Sequence, residues 1–190
     1  MDPQRSVDSS AAPRRGNRDG GAALIAAMIG VLALFVSGYT AYIQRQQVRA
    51  QVWPYLLVSN YDTEFSIKVL NKGVGPAIVQ SVQVWVDGKP QHDWKQVRTA
   101  LGLPPTGLLT ATLSNNVVSA NETVPMLVFP DQQSYRGFRD AARARMGMAI
   151  CFCSTLDECW LYSDRKPDVT PTQSSVEHCP RLGIDDAFDD

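Results

Sequence analysis

The sequence predicts a mainly β protein: an antiparallel β-sandwich with one or two short helices, preceded by one N-terminal transmembrane α-helix. Three observations lead there. An uncharged apolar run fills residues 20–44. Beyond Pro54 the hydrophobic period falls from that of a helix to two. Turn signals then recur about every dozen residues, the rhythm of short antiparallel strands.

The apolar run is GGAALIAAMIGVLALFVSGYTAYIQ, bounded by Arg18-Asp19 and Arg45. About 20 apolar residues suffice to cross a hydrocarbon layer roughly 30 Å thick. The run exceeds the apolar segment of a cleaved signal peptide, and Val36-Ser37-Gly38 offers only a weak cleavage site inside it, so the anchor is expected to be retained. Arg5, Arg14, Arg15 and Arg18 precede the span, whereas Arg45 and Arg49 follow closely. Positive charge favours the cytoplasmic side, which sends the C-terminal domain outward. Tyr39 and Tyr42 then fall at the outer interface, a common place for amphipathic rings. Ala26, Gly30, Ala33, Ser37 and Ala41 share one helix face, a candidate seam for a homodimer or another membrane helix.

Residues 1–19 are rich in Ser, Pro, Gly and Arg and are expected to be a disordered cytoplasmic tail. Residues 20–52 form the span with a helical extension, which Pro54 should stop near Trp53. Residues 53–165 form the β domain. Tyr55 to Ser59 is a short apolar run, and in FSIKVLN the residues Phe65, Ile67 and Val69 alternate with Ser66 and Lys68. Asn71 to Pro76 is a turn cluster in which Gly73 and Gly75 permit positive φ and Asn71 can cap the turn with its own amide. Ile78 to Val86 is a long strand with Val82, Val84 and Val86 on one face, closed by the hairpin signal Asp87-Gly88. Asp93 to Leu101 suggests a short helix containing Trp94 and Val97. Leu108 to Leu113, Val117-Val118 and Met126 to Phe129 are strand candidates. Pro130-Asp131 introduces a helix over 132–146, with Phe138, Ala141, Ala142 and Arg145 along one stripe and Arg136, Arg139 and Arg143 beside it. Met148 to Cys153 and Cys159 to Ser163 read as a hairpin. Residues 166–190 are expected to be an irregular tail, pinned at Cys179.

The segment VLNKGVGPAIVQSVQVWVDGKP resembles bacterial and archaeal immunoglobulin-like modules of the CARDB kind, in which a strand ends in N-x-G-x-G/A and a long strand ends in a D-G turn. The layout as a whole resembles a group of uncharacterised bacterial single-pass inner-membrane proteins. Its shared marks are R-x-Q-V-W-P-Y-L at Arg49 to Leu56, N-K-G-x-G-P-A at Asn71 to Ala77, and C-x-C-S running to C-W at Cys151 to Trp160. These resemblances imply an immunoglobulin-like sandwich in the periplasm. They carry no catalytic residue.

Cys151, Cys153, Cys159 and Cys179 are the conspicuous chemical group. An even, clustered set in a domain exported from the cytosol reads as two disulfides. Cys151 and Cys153 lie on one face of a strand, and Cys159 returns beside Cys153 across the hairpin. The preferred pairing is 153–159 with 151–179, and 151–159 with 153–179 is nearly as plausible. Together with His178 the same cysteines offer ligands for zinc or copper(I), but no C-x-x-C knuckle is present. Hydrolytic chemistry lacks its parts: His92 and His178 are the two histidines, and neither belongs to a nucleophile motif such as G-x-S-x-G. Gly73 and Gly75 do not open a helix, so they form no phosphate loop. Asn121-Glu122-Thr123 fits a glycosylation sequon that a bacterial setting leaves unused. A net charge of −1 provides no field for nucleic acid.

The expected protein is therefore a single-pass inner-membrane protein, cytoplasmic at its N-terminus and periplasmic in its C-terminal domain. It is expected to be non-catalytic and without cofactor, binding or scaffolding through the domain. Its expected partners are the bilayer and a protein or second copy met through the span. Two alternatives come from other classes: a thiol-redox or metal-binding envelope protein using the four cysteines, and a cytoplasmic-facing effector or sensor.

Overall fold

A computed structural model describes residues 18–104, 107–164, 172–180, 183, 188 and 189. Of the expected disordered tail over 1–19, residues 1–17 lie outside the described residues, whereas Arg18 and Asp19 already belong to a helix. The chain divides into two compact units, residues 1–47 and 48–190.

In the first unit, α1 (Arg18–Gln51) begins and continues without a break into the first residues of the second. Within it, Gly20–Gln51 is long and apolar enough to cross a membrane, with none of its apolar window buried by protein. Leu24, Leu32, Leu34 and Phe35 are exposed along it. An aqueous monomer rarely presents so large a contiguous apolar surface. Thr40 satisfies its hydroxyl within the helix by donating to the Val36 carbonyl at 2.8 Å.

The second unit is a mainly β sandwich of two antiparallel sheets. One sheet runs in the order β1 (Leu56–Tyr61), β2 (Ser66–Asn71), β7 (Thr123–Val128), β5 (Leu109–Thr110). The other runs β10 (Thr172–Val176), β9 (Cys159–Ser163), β8 (Met146–Cys153), β3 (Ala77–Val86), β4 (Lys89–Gln91), with β6 (Val117–Val118) against the start of β3. Leu56, Ile67, Val69 and Leu127 of the first sheet meet Val79, Val82, Val84, Met148, Ile150 and Phe152 of the second in one buried core.

Two irregularities keep this core regular. The register shift between Val79 and Ser81 changes the parity of β3, so that Ala77 and Val79 join Val82, Val84 and Val86 inside. The shift between Ile67 and Lys68 sits opposite Pro125, which has no N–H to give a regular ladder. Asp87 and Gly88, at φ of 50 and 78°, form the hairpin turn that the Asp-Gly pair predicted.

Two helices close the sandwich. Asp93 caps α2 (Trp94–Ala100), accepting from Gln96 N at 2.6 Å. Asp131 caps α3 (Gln132–Ala142), accepting from Ser134 N at 2.8 Å. The stripe of α3 buries Tyr135 and Phe138 against Phe129 and Phe65. The helix ends four residues before the expected Met146, because Arg143 turns extended and Ala144 takes a φ of 59°. Arg145 consequently leaves the stripe and pairs with Asp87 at 2.7 Å.

The expected irregular tail is corrected over its described part. β10 pairs antiparallel with β9, Asp189 bridges Asp93, and Phe188 packs edge-on to Trp94 with ring centroids 5.0 Å apart. Thr-Gln-Ser-Ser-Val lacks an apolar alternation because an edge strand is held by backbone pairing, which any sequence supplies.

Candidate functional site at the strap end of the domain

Residues 52–55 form a strap that joins α1 to β1. Pro54 is buried, and the chain beside it is gripped by the loop between β2 and β3. The grip centres on Asn71, whose side chain is fully buried. Its Oδ1 accepts from Tyr55 N at 3.1 Å and from Gly73 N at 2.9 Å. Its Nδ2 donates to Gly75 O at 2.8 Å and to Val118 O at 3.0 Å. The amide thereby uses both of its lone-pair directions and both of its protons. Backbone bonds extend the grip: Lys72 N donates to Tyr55 O at 2.7 Å, and Val74 N and Gly75 N donate to Trp53 O at 3.0 and 3.2 Å.

The two glycines of this loop act differently from the sequence expectation. Neither adopts a positive φ. A Cβ on Gly73 would instead collide with backbone atoms of Trp53, Pro54 and Tyr55, and one on Gly75 with the backbone of Val52. They are glycine because the strap lies directly on them. The Asn71 turn cap was legible. Its capture of a strap 16 residues earlier in the chain was not.

The cysteines stand at the same end. Met148, Ile150 and Phe152 of β8 point into the core, so by strand alternation Cys151 and Cys153 take the opposite face. Cys151 bonds Cys179 with Cα atoms 5.7 Å apart, and Cys153 bonds Cys159 at 4.0 Å. No cysteine is free. The disulfides abut: Sγ of Cys153 and Sγ of Cys179 are 3.8 Å apart. The sulfurs of Cys153, Cys159 and Cys179 lie within 4.8 Å of one another. His178 is not among them and is exposed beside Glu177. The loop that Cys153–Cys159 closes carries Glu158, which pairs with Arg49 of the last turn of α1 at 2.9 Å.

A cleft of about 350 Å³ opens elsewhere on the domain, lined by Val58, Met126, Phe138, Arg139, Arg143, Met148, Tyr162 and Asp164. Burial raises the carboxyl pKa of Asp164, although the Met148 amide donates to it at 2.5 Å. Burial and then the Asp164 charge raise that of the Tyr162 phenol. Arg139 is held by Asp62 at 2.5 Å, while Arg143 has no ion pair among the described residues. Burial, followed by a hydrogen bond to Asp62, raises the Tyr135 phenol. The His92 backbone carbonyl accepts from Asp189 N at 2.7 Å, and the residue takes no part in the cleft. The face of Ala26, Gly30, Ala33 and Ser37 lies on α1 and is exposed.

Comparison with protein-family models, curated proteins and solved structures returns no match.

Proposed function

We propose that the protein is a single-pass bacterial inner-membrane protein whose immunoglobulin-like domain lies in the periplasm and serves there as a non-catalytic binding or scaffolding module. The observation that carries this reading is the grip of Asn71 on the strap. A domain on a loose tether needs no buried amide and no pair of glycines beneath its linker. One that must keep its linker seated on it does.

Further support comes from elsewhere in the chain. The excess of arginines before the span favours an outward domain, and two disulfides suit an oxidising compartment. The orders β1-β2-β7-β5 and β9-β8-β3-β4 follow the A-B-E-D and G-F-C-C′ orders of immunoglobulin domains, with β10 added beyond the G position. The cleft beside Arg143 and Asp164 is a concave, partly apolar place to receive a ligand or partner side chain. The small-residue face of Ala26, Gly30, Ala33 and Ser37 remains the proposed seam for a second copy or another membrane helix.

A C-terminal alkaline phosphatase fusion tests the topology: an active fusion is expected, and an inactive one selects the cytoplasmic-facing alternative. Crosslinking in intact membranes tests the role. Recovery of one specific protein partner is expected, and consistent failure removes the scaffolding reading.

A second reading is favoured by the three clustered sulfurs. Reduced, the four cysteines would gather soft ligands for zinc or copper(I). Alkylation of the native protein without reductant decides between them. Unmodified cysteines support the structural role, and alkylated ones support redox or metal chemistry.

A further inference from the structure

Among the described residues, four of the five large apolar side chains that the β domain leaves exposed gather at one end. Trp53 lies on the strap, Val74 at the tip of the loop between β2 and β3, Val117 in β6, and Leu156 in the hairpin loop between β8 and β9. Their exposures are 45, 61, 50 and 42%. Pairing registers place all four at one end. Ile78, next to the start of β3, pairs with both Val117 and Cys153, and Asn71 binds both Tyr55 N and Val118 O. Leu109, 72% exposed, stands at the other end, since it pairs with Val128, which in turn pairs with Ser66 at the start of β2.

This rim surrounds the point at which the chain arrives from α1. After the apolar run only residues 45–51 of the helix remain, and at 1.5 Å per residue they span about 10 Å. The strap that follows has no slack, because its backbone is bonded to the loop at Trp53 and Tyr55. The headgroup layer on one side of a bilayer is itself roughly 5–7 Å deep. The chain thus holds the rim at or beside that layer whenever the helix spans.

We infer that this end of the domain rests on the bilayer, with Trp53, Val74, Val117 and Leu156 entering the boundary between headgroups and acyl chains. The inference rests on the membrane-anchored reading proposed above. Tryptophan favours that boundary, because it pairs an apolar body with one polar N–H. Short aliphatic side chains on loop tips add apolar burial there at small depth. The charge around the rim is mixed: Lys72 and Arg49 stand near Glu122, Glu158 and Asp157. The contact is therefore apolar and does not require anionic lipid. The disulfide 153–159 closes the loop that presents Leu156, and Asn71 fixes the loop that presents Val74, so both tips are held in place before they meet lipid. The site has one occupant, the lipid surface of the anchoring membrane.

The test uses the full chain in phosphatidylcholine vesicles with brominated acyl chains, in a Trp53→Phe background. A tryptophan is placed at Leu156, at Val117 or, as a control from the other end, at Leu109. Flotation with the vesicles reports the anchor, and bromine quenching reports the rim. Quenching of the Leu156→Trp and Val117→Trp proteins beyond their parent, with none at Leu109→Trp, is expected. If the protein floats and neither rim tryptophan is quenched, the rim faces water or a protein and the inference fails. Equal quenching at Leu109 overturns it as well, because no end would then be preferred. If the protein does not float, the anchored reading fails instead, and that result is distinct from the others.

Discussion

Asn71 joins four backbone groups from three parts of the chain through one side chain. Truncating it strands the amides of Tyr55 and Gly73 and the carbonyls of Gly75 and Val118 in a buried place. A stranded buried group costs about 1–3 kcal/mol, and part of the set will find water, so Asn71→Ala is expected to lower stability by about 3 kcal/mol. Denaturant unfolding measures this directly. Gly75→Ala should act locally, because its methyl meets the backbone of Val52. Faster proteolysis at the strap, with the sandwich intact, is the expected signature. Asp164 offers a test with a sign. Burial raises its folded pKa above the ordinary 3.8, so the folded state holds the proton more tightly than the unfolded chain does. Its contribution to stability is greatest below pH 3.8 and declines as pH rises through the folded pKa. Asp164→Asn keeps an acceptor for the Met148 amide and removes the charge. Thermal unfolding should show the variant gaining stability over the wild type at neutral pH, with the gain disappearing near pH 3.8.

At the scale of elements, what could be read from the chain depended on how locally each element is determined. The Asp-Gly hairpin, the short helix that carries Trp94 and Val97, and the alternation of Val82, Val84 and Val86 in β3 are set within a few residues and were legible. The end of α3 was not, because Arg143 and Ala144 have no breaker composition and are turned by the need to start β8. β10 was hidden for a related reason: it is held from outside, by β9 and by Cys179. Phe188, a lone aromatic in an acidic terminus, was the available signal that the tail returns to the domain. The preferred cysteine pairing, which set Cys159 beside Cys153 across the hairpin, is the one found. The two bonds should differ in weight. They close loops with separations of 28 and 6 residues, and chain entropy then gives about 3.6 and 2.2 kcal/mol. Removing both members of the 151–179 pair should therefore lower stability more than removing both of the 153–159 pair, as denaturant midpoints would show. The opposite order would mean that the tail contributes little to the folded state.

Across the whole molecule, reinforcement collects at one end. The asparagine grip, the close-approach glycines, both disulfides and the Arg49–Glu158 pair all lie where the strap joins the sandwich. The long apolar helix was the most legible feature of the chain, because length and apolarity alone determine it. The joint was the least legible, because it is assembled from segments around residues 53, 71, 118, 153 and 179 that only the fold brings together. This joint carries the reading of a domain that keeps its linker seated on it rather than hanging free. Hydrogen exchange on the full chain in bilayers tests that most directly, at the amides of Tyr55, Val74 and Gly75. The account predicts that they open only with the sandwich core and exchange as slowly as β2. Exchange at the rate of an open loop, with β2 still protected, would contradict it.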